Sequence, residues 1–406
     1  TVLALRHRGA GLELVARDPG EPILTNPHEP WADVGDDGLA SVDEPGYDAT
    51  TNPDPAGDDY HYQRNPRGTE GDLERQAGEP YEDLGLDGVA GTCQQGDGPT
   101  CYDVGEGDGA FTISPNVQSW YDAGIETLLA ALTPAQRDHV GMWIDAGIRD
   151  MFNASVSANA GGGIIAGRYG LPLGTYDGFA AFGDSSSETT YDFATVPWAS
   201  VPRNVLLRYG DPDATEAKIE QGDGRHVGTA AQIINRVTTA FAWLDKRMPG
   251  GDRADEFGGG EQISGLTFTP SSGRESPYAV FVPPGYDKPE NAGVTYPVVY
   301  FLHGYGQSPE DLLSLSAVFE IYMQPSSLSA DARFQKVIIV YVDGRCRPSN
   351  DALPVDPSGD GCEQGTFYKD APAGGPAQIE TGLLELMDHI DATYRTKAAG
   401  DVQISP

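Results

Sequence analysis

The chain has few positive charges, few cysteines and no long apolar run. Its 406 residues carry 61 Asp and Glu against 26 Lys and Arg, which gives a formal net charge of −35. Nucleic acids and anionic membranes attract basic patches, so the composition argues against both as partners. No apolar run approaches the roughly 20 residues that a membrane-spanning helix needs. A hydrophobic fraction of 39% is enough for folded cores, and the length suits more than one domain.

The four cysteines form two local pairs, Cys93 with Cys101 and Cys346 with Cys362. Both pairs fall in loops rich in Gly and Asp, without the C-x-x-C spacing or the neighbouring His of a zinc site. We therefore expect two disulfides and an oxidising compartment, which indicates a secreted or cell-surface protein. No basic-then-apolar leader is present at Thr1, so we expect a processed or trimmed start.

The acidic residues are concentrated near the N-terminus. Residues 26–110 hold 21 Asp or Glu against 3 Arg. Within this stretch the pattern E-P-aromatic-x-D-aliphatic-G-x-D-G-aliphatic-A occurs at 29–40 and again 50 residues later at 79–90. Each copy is followed by a second acidic turn, at 54–59 and at 103–109. So many matched positions indicate a duplicated module.

This duplicated module predicts calcium binding. Ca²⁺ takes six to eight oxygen ligands, and closely spaced Asp residues with interspersed Gly supply carboxylates on tight turns. The pattern lacks the ligand order of an EF-hand and resembles the Asp/Gly-rich calcium loops of extracellular proteins. A solvated acidic linker is the alternative, but the aromatic and aliphatic positions repeat together with the acids. The predicted ligands are Asp33, Asp36, Asp37, Asp83, Asp87, Asp103, Glu106 and Asp108.

The composition changes after the glycines at 258–260. Strand-like runs follow at 263–269, 278–282, 298–302 and 337–342. The last two are almost wholly apolar, which is typical of central strands covered on both faces in a parallel α/β sheet. A helix is predicted over 377–394, with an apolar stripe formed by Ile379, Leu383, Leu386, Ile390 and Tyr394.

Several of these segments, in order, resemble the N-terminal half of secreted α/β-hydrolase esterases, the family that includes feruloyl esterases and esterase D. The matching stretches are YAVFVPPGY at 278–286, YPVVYFLHGYG at 296–306, VYVDG at 340–344, GTFYKD at 365–370 and the helix from Glu380 to Tyr394. The resemblance implies that the HG-x-G turn at 303–306 carries oxyanion-stabilising N–H groups, with Tyr305 and Gly304 as candidates. A structural turn without catalysis is the alternative, and His303 is expected to be structural.

The nucleophile elbow of this family, G-x-S-x-G, is missing. The strand that should carry it would begin at 401–406, and the nearest match, Gly183-Asp-Ser-Ser-Ser187, lacks the last Gly. Residues 142–153 resemble the strand and loop that carry the acid in esterases, and Gly222-Asp-Gly-Arg-His226 resembles the loop of the catalytic His. By this resemblance Asp150 orients His226, which activates a Ser outside this sequence. Elsewhere, Gly161–Gly163 predicts a break or a flexible joint.

In this chain the segments that resemble an esterase's second half come before those that resemble its first half, and three explanations fit this order. The fold is circularly permuted, with Ser on a cleaved segment or another chain; or the chain holds parts of two tandem hydrolases; or the scaffold is structural. We predict an α/β fold with an α/β-hydrolase-like sheet, permuted or incomplete, and an acidic calcium-binding insert. The predicted segments are a strand-like 1–25, the acidic module 26–115, the Asp/His half 116–257 and the HG-x-G half 261–406.

The predicted function is a secreted carboxylic-ester hydrolase that acts on a small ester by acyl transfer to Ser. Its expected partner is the second chain or cleaved segment that completes the site. The alternative is a catalytically inactive, calcium-stabilised extracellular protein with a structural or assembly role.

Overall fold

A computed structural model describes residues 3–8, 11–16, 28–91, 104–114, 118, 124–152, 154–183, 193–248, 259–273, 275–304, 306–324, 333–345, 368, 370 and 378–397. The four cysteines, Asp103 and Tyr305 lie outside these residues, so the disulfides and the roles assigned to Asp103 and Tyr305 stay predictions. The chain divides into two compact units, residues 1–177 with 203–228 and residues 178–202 with 229–406. Unlike the predicted segments, this division places residues 178–202 and 229–248 with the C-terminal part.

The first unit contains an antiparallel hairpin and a three-stranded parallel sheet. The hairpin joins β1 (Leu3–Arg8) to β2 (Gly11–Ala16). The sheet joins β3 (Trp143–Gly147), β4 (Leu173–Asp177) and β5 (Asn204–Tyr209) in the order β3-β5-β4, with both pairs parallel. β5 lies in the middle and is buried along its whole length, as expected for a strand covered on both faces.

Glycine-rich packing brings one helix close to this sheet. The helices of the unit are α1 (Ile125–Ala131), α2 (Pro134–Arg137), α3 (Ala154–Gly163), which continues as a π-helical turn (Ile164–Arg168), and α4 (Glu216–Glu220). Ala158 of α3 packs against Ala146 and Leu206 of the sheet. A Cβ on Gly162 would lie 3.1 Å from the Leu206 side chain. The prediction of a break at Gly161–Gly163 is wrong, because these small residues let α3 lie close to β5.

The two copies of the acidic module meet at corresponding residues. In the described parts of this module, 28–91 and 104–114, the chain forms turns and isolated bridges around a short 3-10 helix (Ser41–Asp43). The aromatic residues of the two motifs, Trp31 and Tyr81, form an antiparallel bridge. The residue after each aromatic donates a hydrogen bond to the carbonyl of the proline before the other, at 3.0 and 2.8 Å. The contact is therefore reciprocal.

A mixed four-stranded sheet forms the centre of the second unit. Its strands are β6 (Glu261–Phe268), β7 (Ser276–Val282), β8 (Val298–Leu302) and β9 (Ile338–Val342), in the order β6-β7-β9-β8. β8 and β9 are parallel, and the other two pairs are antiparallel. β9 is central and buried throughout, as its apolar run predicts. β8 lies at an edge of the described sheet and is only half-buried, so its similar run does not mark a central strand there.

Helices and aromatic side chains complete the core of the second unit. The helices are α5 (Ala230–Arg247), α6 (Pro309–Leu313), α7 (Ser316–Met323) and α8 (Ile379–Thr393), with 3-10 turns at Ala180–Phe182, Phe193–Thr195, Trp198–Ser200 and Pro289–Asn291. Leu386 and Ile390 of α8 pack in one cluster with the sheet, which confirms the predicted helix and its stripe. Phe241 of α5 stacks on Phe319 at 4.2 Å between ring centroids. Among the described residues, none of the helices is both long and apolar enough to span a bilayer.

Candidate functional site

Asp150 and His226 form a hydrogen-bonded pair in the first unit. Asp150 follows β3, and His226 lies on the loop after α4, in the segment that follows β5. The carboxyl ends of adjacent parallel strands, such as β3 and β5, meet at the same sheet edge. The His226 Nδ1 lies 2.7 Å from Asp150 Oδ2. The other carboxylate oxygen accepts a hydrogen bond from the N–H of Phe152 at 2.8 Å. The structure therefore brings together the two side chains that the resemblance pairs.

The two members of this pair differ sharply in exposure. The Asp150 side chain is 2% exposed, whereas that of His226 is 48% exposed. A carboxylate can only accept, so Nδ1 of the ring carries the proton in this contact. In the neutral ring Nε2 is then the basic nitrogen, because the partner of one ring nitrogen sets the tautomer. A fixed, exposed imidazole of this kind can act as a general base.

The loop that carries His226 is held by contacts which the sequence did not reveal. The buried Tyr209 hydroxyl lies 2.9 and 2.8 Å from the carbonyl oxygens of Arg225 and His226 and donates toward them. The Arg149 guanidinium pairs at 3.0 Å with the carboxylate of Asp223, which directly precedes Gly224 of the loop. The backbone N–H of Arg149 also donates to the carbonyl of Gly224 at 2.7 Å. These contacts fix the loop from both of its neighbouring strands.

Two glycines outside this loop, Gly147 and Gly210, are explained by the close approach of the loop backbone. A Cβ on Gly147 would lie 2.2 Å from the Gly224 carbonyl oxygen, a distance that side chains do not reach. Gly210 has φ +123° and lies against the Gly224 Cα, so both its conformation and its space require glycine. Within the Gly-x-Gly-x-His pattern itself, Gly222 and Gly224 have φ +103° and +65°, so the pattern has a backbone cause as well as a chemical one.

Exposed apolar side chains lie at and next to the Asp150–His226 pair. The Phe152 ring meets the imidazole edge-on, with 5.0 Å between ring centroids and an interplanar angle of 83°. Phe152, Met151 and Val227 are all more than half exposed, although each is large and apolar. We call these three residues the apolar rim. Large apolar groups at a surface are typical of sites that contact an apolar ligand or partner.

The HG-x-G turn lies in the second unit, directly after β8. Gly306 has φ +77°, and the N–H of Gln307 donates to the Gly304 carbonyl at 3.2 Å. The backbone N–H of Gly304 donates to the Gln307 side-chain oxygen at 2.9 Å. This N–H, a predicted oxyanion donor, is therefore already engaged by a side chain that the sequence did not single out.

His303 of this turn is buried and bonded to the backbone. Its Nδ1 lies 2.7 Å from the carbonyl oxygen of Gly304, so Nδ1 carries the proton. Its Nε2 accepts a hydrogen bond from the N–H of Gly344 at 2.9 Å and lies 3.3 Å from Asp343 Oδ1. These contacts agree with the structural role predicted for His303.

A buried polar network supports the turn from β9. Asp343 accepts hydrogen bonds from the Arg345 side chain at 2.8 Å and from its backbone N–H at 3.0 Å. Burial alone would raise the pKa of Asp343, but the hydrogen bonds from Arg345 and its positive charge outweigh burial and hold this pKa below its usual value. The Tyr368 hydroxyl accepts from the His303 N–H at 2.8 Å. A Cβ on Gly344 would lie 2.4 Å from the Tyr368 ring, so glycine is required there.

Two buried glutamates hold the turns of the acidic module. Glu79 Oε1 accepts hydrogen bonds from the N–H groups of Val34 and Gly35, both at 3.0 Å, and Oε2 accepts from Gln76 at 2.7 Å. Glu29 does the same for the other copy, through the N–H groups of Gly85 and Thr112, each at 2.8 Å. The Glu of each motif therefore caps the turn of its partner copy.

The equivalent second turns of the two copies are not those that the sequence suggested. Asp33 accepts from the N–H groups of Gly71 and Leu73, both at 2.8 Å. Asp83 accepts from those of Gly107 and Gly109, at 2.6 and 2.8 Å. Residues 105–112 thus correspond to 69–76 and not to 54–59. The tripeptide Glu-Gly-Asp, at 70–72 and 106–108, is the sequence signal that marks this equivalence.

Most of the predicted calcium ligands accept hydrogen bonds from backbone N–H groups. Asp33, Asp37, Asp83, Asp87, Glu106 and Asp108 each accept at least one such hydrogen bond, and the N–H of Asp36 donates to Thr69. Within the described residues, three potential ligands converge at Asp37, Glu44 and Asp58, and Asp37 is the one member that was predicted. Burial raises the pKa of Asp58 to about 6, helped by the charges of Asp37 and Glu44.

Comparisons with known proteins give partial structural likenesses. No protein-family model matches the chain, and no curated protein matches it. A solved ferulic acid esterase is similar at 21% identity and a TM-score of 0.26, over 34% of this chain and 46% of that one. The S-formylglutathione hydrolase from Agrobacterium tumefaciens is similar at 17% identity and a TM-score of 0.25, over 37% and 49%. The chain spans about half the length of each.

Proposed function

We propose that this chain contributes the acid–base pair of a secreted carboxylic-ester hydrolase that works by acyl transfer to a hydroxyl nucleophile. The observation that carries the proposal is the 2.7 Å contact between His226 and the buried carboxylate of Asp150, with the imidazole half-exposed. Asp–His pairs in which the acid is buried and the base is accessible are the arrangement that nucleophilic acyl transfer requires.

In the proposed mechanism, His226 Nε2 removes the proton from a serine hydroxyl while the serine oxygen attacks the acyl carbon. The carbonyl π electrons move onto oxygen, and Asp150 stabilises the imidazolium that forms. His226 then returns this proton to the leaving alcohol as the C–O bond breaks, which leaves an acyl-serine. Water repeats the sequence and releases the acid. Since this sequence has no G-x-S-x-G, another segment or chain supplies the serine.

The apolar rim supports a small ester with an apolar acyl or aryl group as the substrate. Phe152 lies against the imidazole, and the exposed Met151 and Val227 directly follow Asp150 and His226 in the chain. Burying an apolar group against such side chains contributes about 25 cal/mol per Å² of area removed from water. The rim would therefore hold the apolar end of an ester near His226.

A second candidate function is a catalytically inactive, cation-stabilised extracellular protein on a hydrolase-like scaffold. It is favoured by the hydrogen bond from the Gly304 N–H to Gln307, which occupies a donor that an oxyanion would need. The first function is supported by His226, for which a purely structural scaffold has no comparable use.

The test uses the intact protein as it is produced, together with any chain that accompanies it. Hydrolysis of p-nitrophenyl acetate and labelling by a fluorophosphonate are compared between the native protein, His226→Ala and His139→Ala. His139 is an exposed histidine of the same unit and serves as the matched control. Loss of His226 should lower the rate about 10²- to 10⁴-fold, the usual contribution of a general base. No labelling of any chain would favour the inactive scaffold. Equal rates in the native protein and His226→Ala would refute the role of His226 as the base.

A further inference from the structure

Three carboxylates of the acidic module converge from three different turns. Asp37 lies in the turn of the first motif, Glu44 follows the 3-10 helix Ser41–Asp43, and Asp58 lies in the 54–59 turn. One oxygen of each lies within 4.8 Å of the others. Such a group repels itself strongly unless a cation or protons neutralise it. The charged groups that act on Asp58 are all carboxylates, namely Asp37, Glu44 and Glu70.

Two buried oxygens in this group have no hydrogen-bond donor. Glu44 is only 4% exposed, and its Oε2 accepts a hydrogen bond from the N–H of Ala56 at 2.7 Å. Its Oε1 is buried without a partner, and so is Asp58 Oδ1. Buried carboxylate oxygens are almost always satisfied by a donor or by a metal ion. The unpartnered oxygens therefore point to a ligand that supplies positive charge.

The neighbouring turn holds Asp58 in place. Gly35 has φ +79°, and a Cβ at this position would lie 2.2 Å from Asp58 Oδ2. The Gly35 backbone therefore packs directly on that oxygen, so glycine is required by both space and conformation. Glu79 of the second copy accepts a hydrogen bond from the Gly35 N–H and so holds the backbone that packs on Asp58. The contact between the two copies therefore helps to position the three carboxylates.

The donor set identifies the class of cation. All three candidate ligands are carboxylate oxygens, without the His or Cys that zinc and copper favour. Hard oxygen ligands on irregular turns suit Ca²⁺, which accepts six to eight oxygens in flexible geometry, better than Mg²⁺, which needs a near-ideal octahedron. Water and backbone carbonyls would supply the remaining ligands.

We propose that Asp37, Glu44 and Asp58 bind one calcium ion that joins the three turns of the first copy. The sequence of the second copy does not repeat this set of carboxylates, because the residue 50 positions after Glu44 is the neutral Gln94. This assignment differs from the ligand set drawn from the repeat, since two of the three ligands are new. It is also independent of the proposed hydrolase activity.

The chain offers a matched control for the test. Asp37 and Asp87 occupy the same motif position, and each accepts a hydrogen bond at 2.8 Å from the N–H two residues later. Asp37→Asn and Asp87→Asn therefore remove the same charge from the same local turn. If the three-carboxylate group is the site, Asp37→Asn weakens calcium binding about tenfold or more, and Asp87→Asn leaves it nearly unchanged.

The experiment titrates CaCl₂ into the EGTA-treated full chain by calorimetry and measures the melting temperature with and without calcium. Calcium should raise the melting temperature of the native protein, because a ligand of the folded state stabilises it. Glu44→Gln should lose the binding heat and the calcium shift, but in EGTA it should melt no lower than the native protein, since it loses a repelling charge. This pattern distinguishes a ligand from a residue needed for folding.

Three results would overturn the proposal. The first is a native melting temperature that calcium does not change. The second is undiminished binding heat in Glu44→Gln, which would place the ion elsewhere in the module. The third is an equal loss in Asp37→Asn and Asp87→Asn, which would favour the ligands of the repeated motif. Ester hydrolysis that persists in Glu44→Gln would leave the hydrolase proposal standing.

Discussion

Replacing Glu79 by Gln is expected to weaken one turn of the acidic module and to leave its counterpart intact. The carboxylate is buried and accepts three backbone hydrogen bonds, from Val34, Gly35 and Gln76. An amide keeps one acceptor oxygen but places an NH₂ group where the other oxygen lay. If the amide oxygen takes the Oε1 position, the N–H of Gln76 faces a donor and loses its partner.

The magnitude follows from these contacts. A buried donor left without an acceptor costs about 1–3 kcal/mol, and the other two bonds lose the extra strength of a charged acceptor. Removing the Glu79 charge also relieves repulsion with nearby carboxylates, which offsets less than about 1 kcal/mol of the lost stability. We therefore expect Glu79→Gln to lower the free energy of unfolding by roughly 2–4 kcal/mol. Glu82→Gln, an exposed carboxylate of the same motif, should change it by less than about 0.5 kcal/mol.

Hydrogen exchange tests this prediction at individual backbone amides. In Glu79→Gln the N–H groups of Val34, Gly35 and Gln76 should exchange faster, whereas those of Gly85 and Thr112 should stay protected, because Glu29 caps them. Unchanged exchange in all five amides would refute the capping role of Glu79. Equal acceleration in all five would show that the module unfolds as one piece and that the two caps are not separate.

Further predictions concern the two histidine turns. Asp343→Asn should lower stability at neutral pH. Because the folded-state pKa of Asp343 is depressed, its stabilising contribution is present above pH 3.8 and is lost as the pH falls through the lower folded value. In acid denaturation the native protein should therefore lose more stability than this variant, and the exposed Asp391→Asn serves as the control. The opposite pH slope would contradict the pairing with Arg345. Tyr209→Phe should cost about 1–2 kcal/mol and broaden the His226 ring resonances, since the loop carbonyls lose their donor; sharp, unshifted resonances would refute this support.

Local sequence patterns predicted the helices and strands whose buried positions repeat regularly along the chain. Strand β9 was predicted from its continuous apolar run, and helix α8 from the helical spacing of its apolar residues. The glycines of α3 were misread, because glycine weakens an isolated helix and the benefit here comes from close contact with Leu206. Local propensity carries no information about such a contact.

The candidate sites were predicted in unequal measure for a related reason. Asp150 and His226 were found because both residues lie in short patterns that resemble known loops, and adjacent parallel strands brought these loops together. The convergence of Glu44 and Asp58 with Asp37 was not predicted, since the repeat fixes spacing within a turn but not which turns meet. The support from Tyr209 was missed because a buried tyrosine on a strand has no local signature.

The role of Asp150 is tested most directly by the pH dependence of p-nitrophenyl acetate hydrolysis in the intact protein and in Asp150→Asn. If its amide oxygen keeps the hydrogen bond from the Phe152 N–H, an asparagine turns its NH₂ group toward Nδ1, which favours the other tautomer, and its neutral side chain cannot stabilise the imidazolium. We expect the rate to fall by as much as about 10⁴-fold in Asp150→Asn, whereas exposed Asp138→Asn should leave it unchanged. Equal rates and pH profiles in the native protein and Asp150→Asn would rule out this role of Asp150.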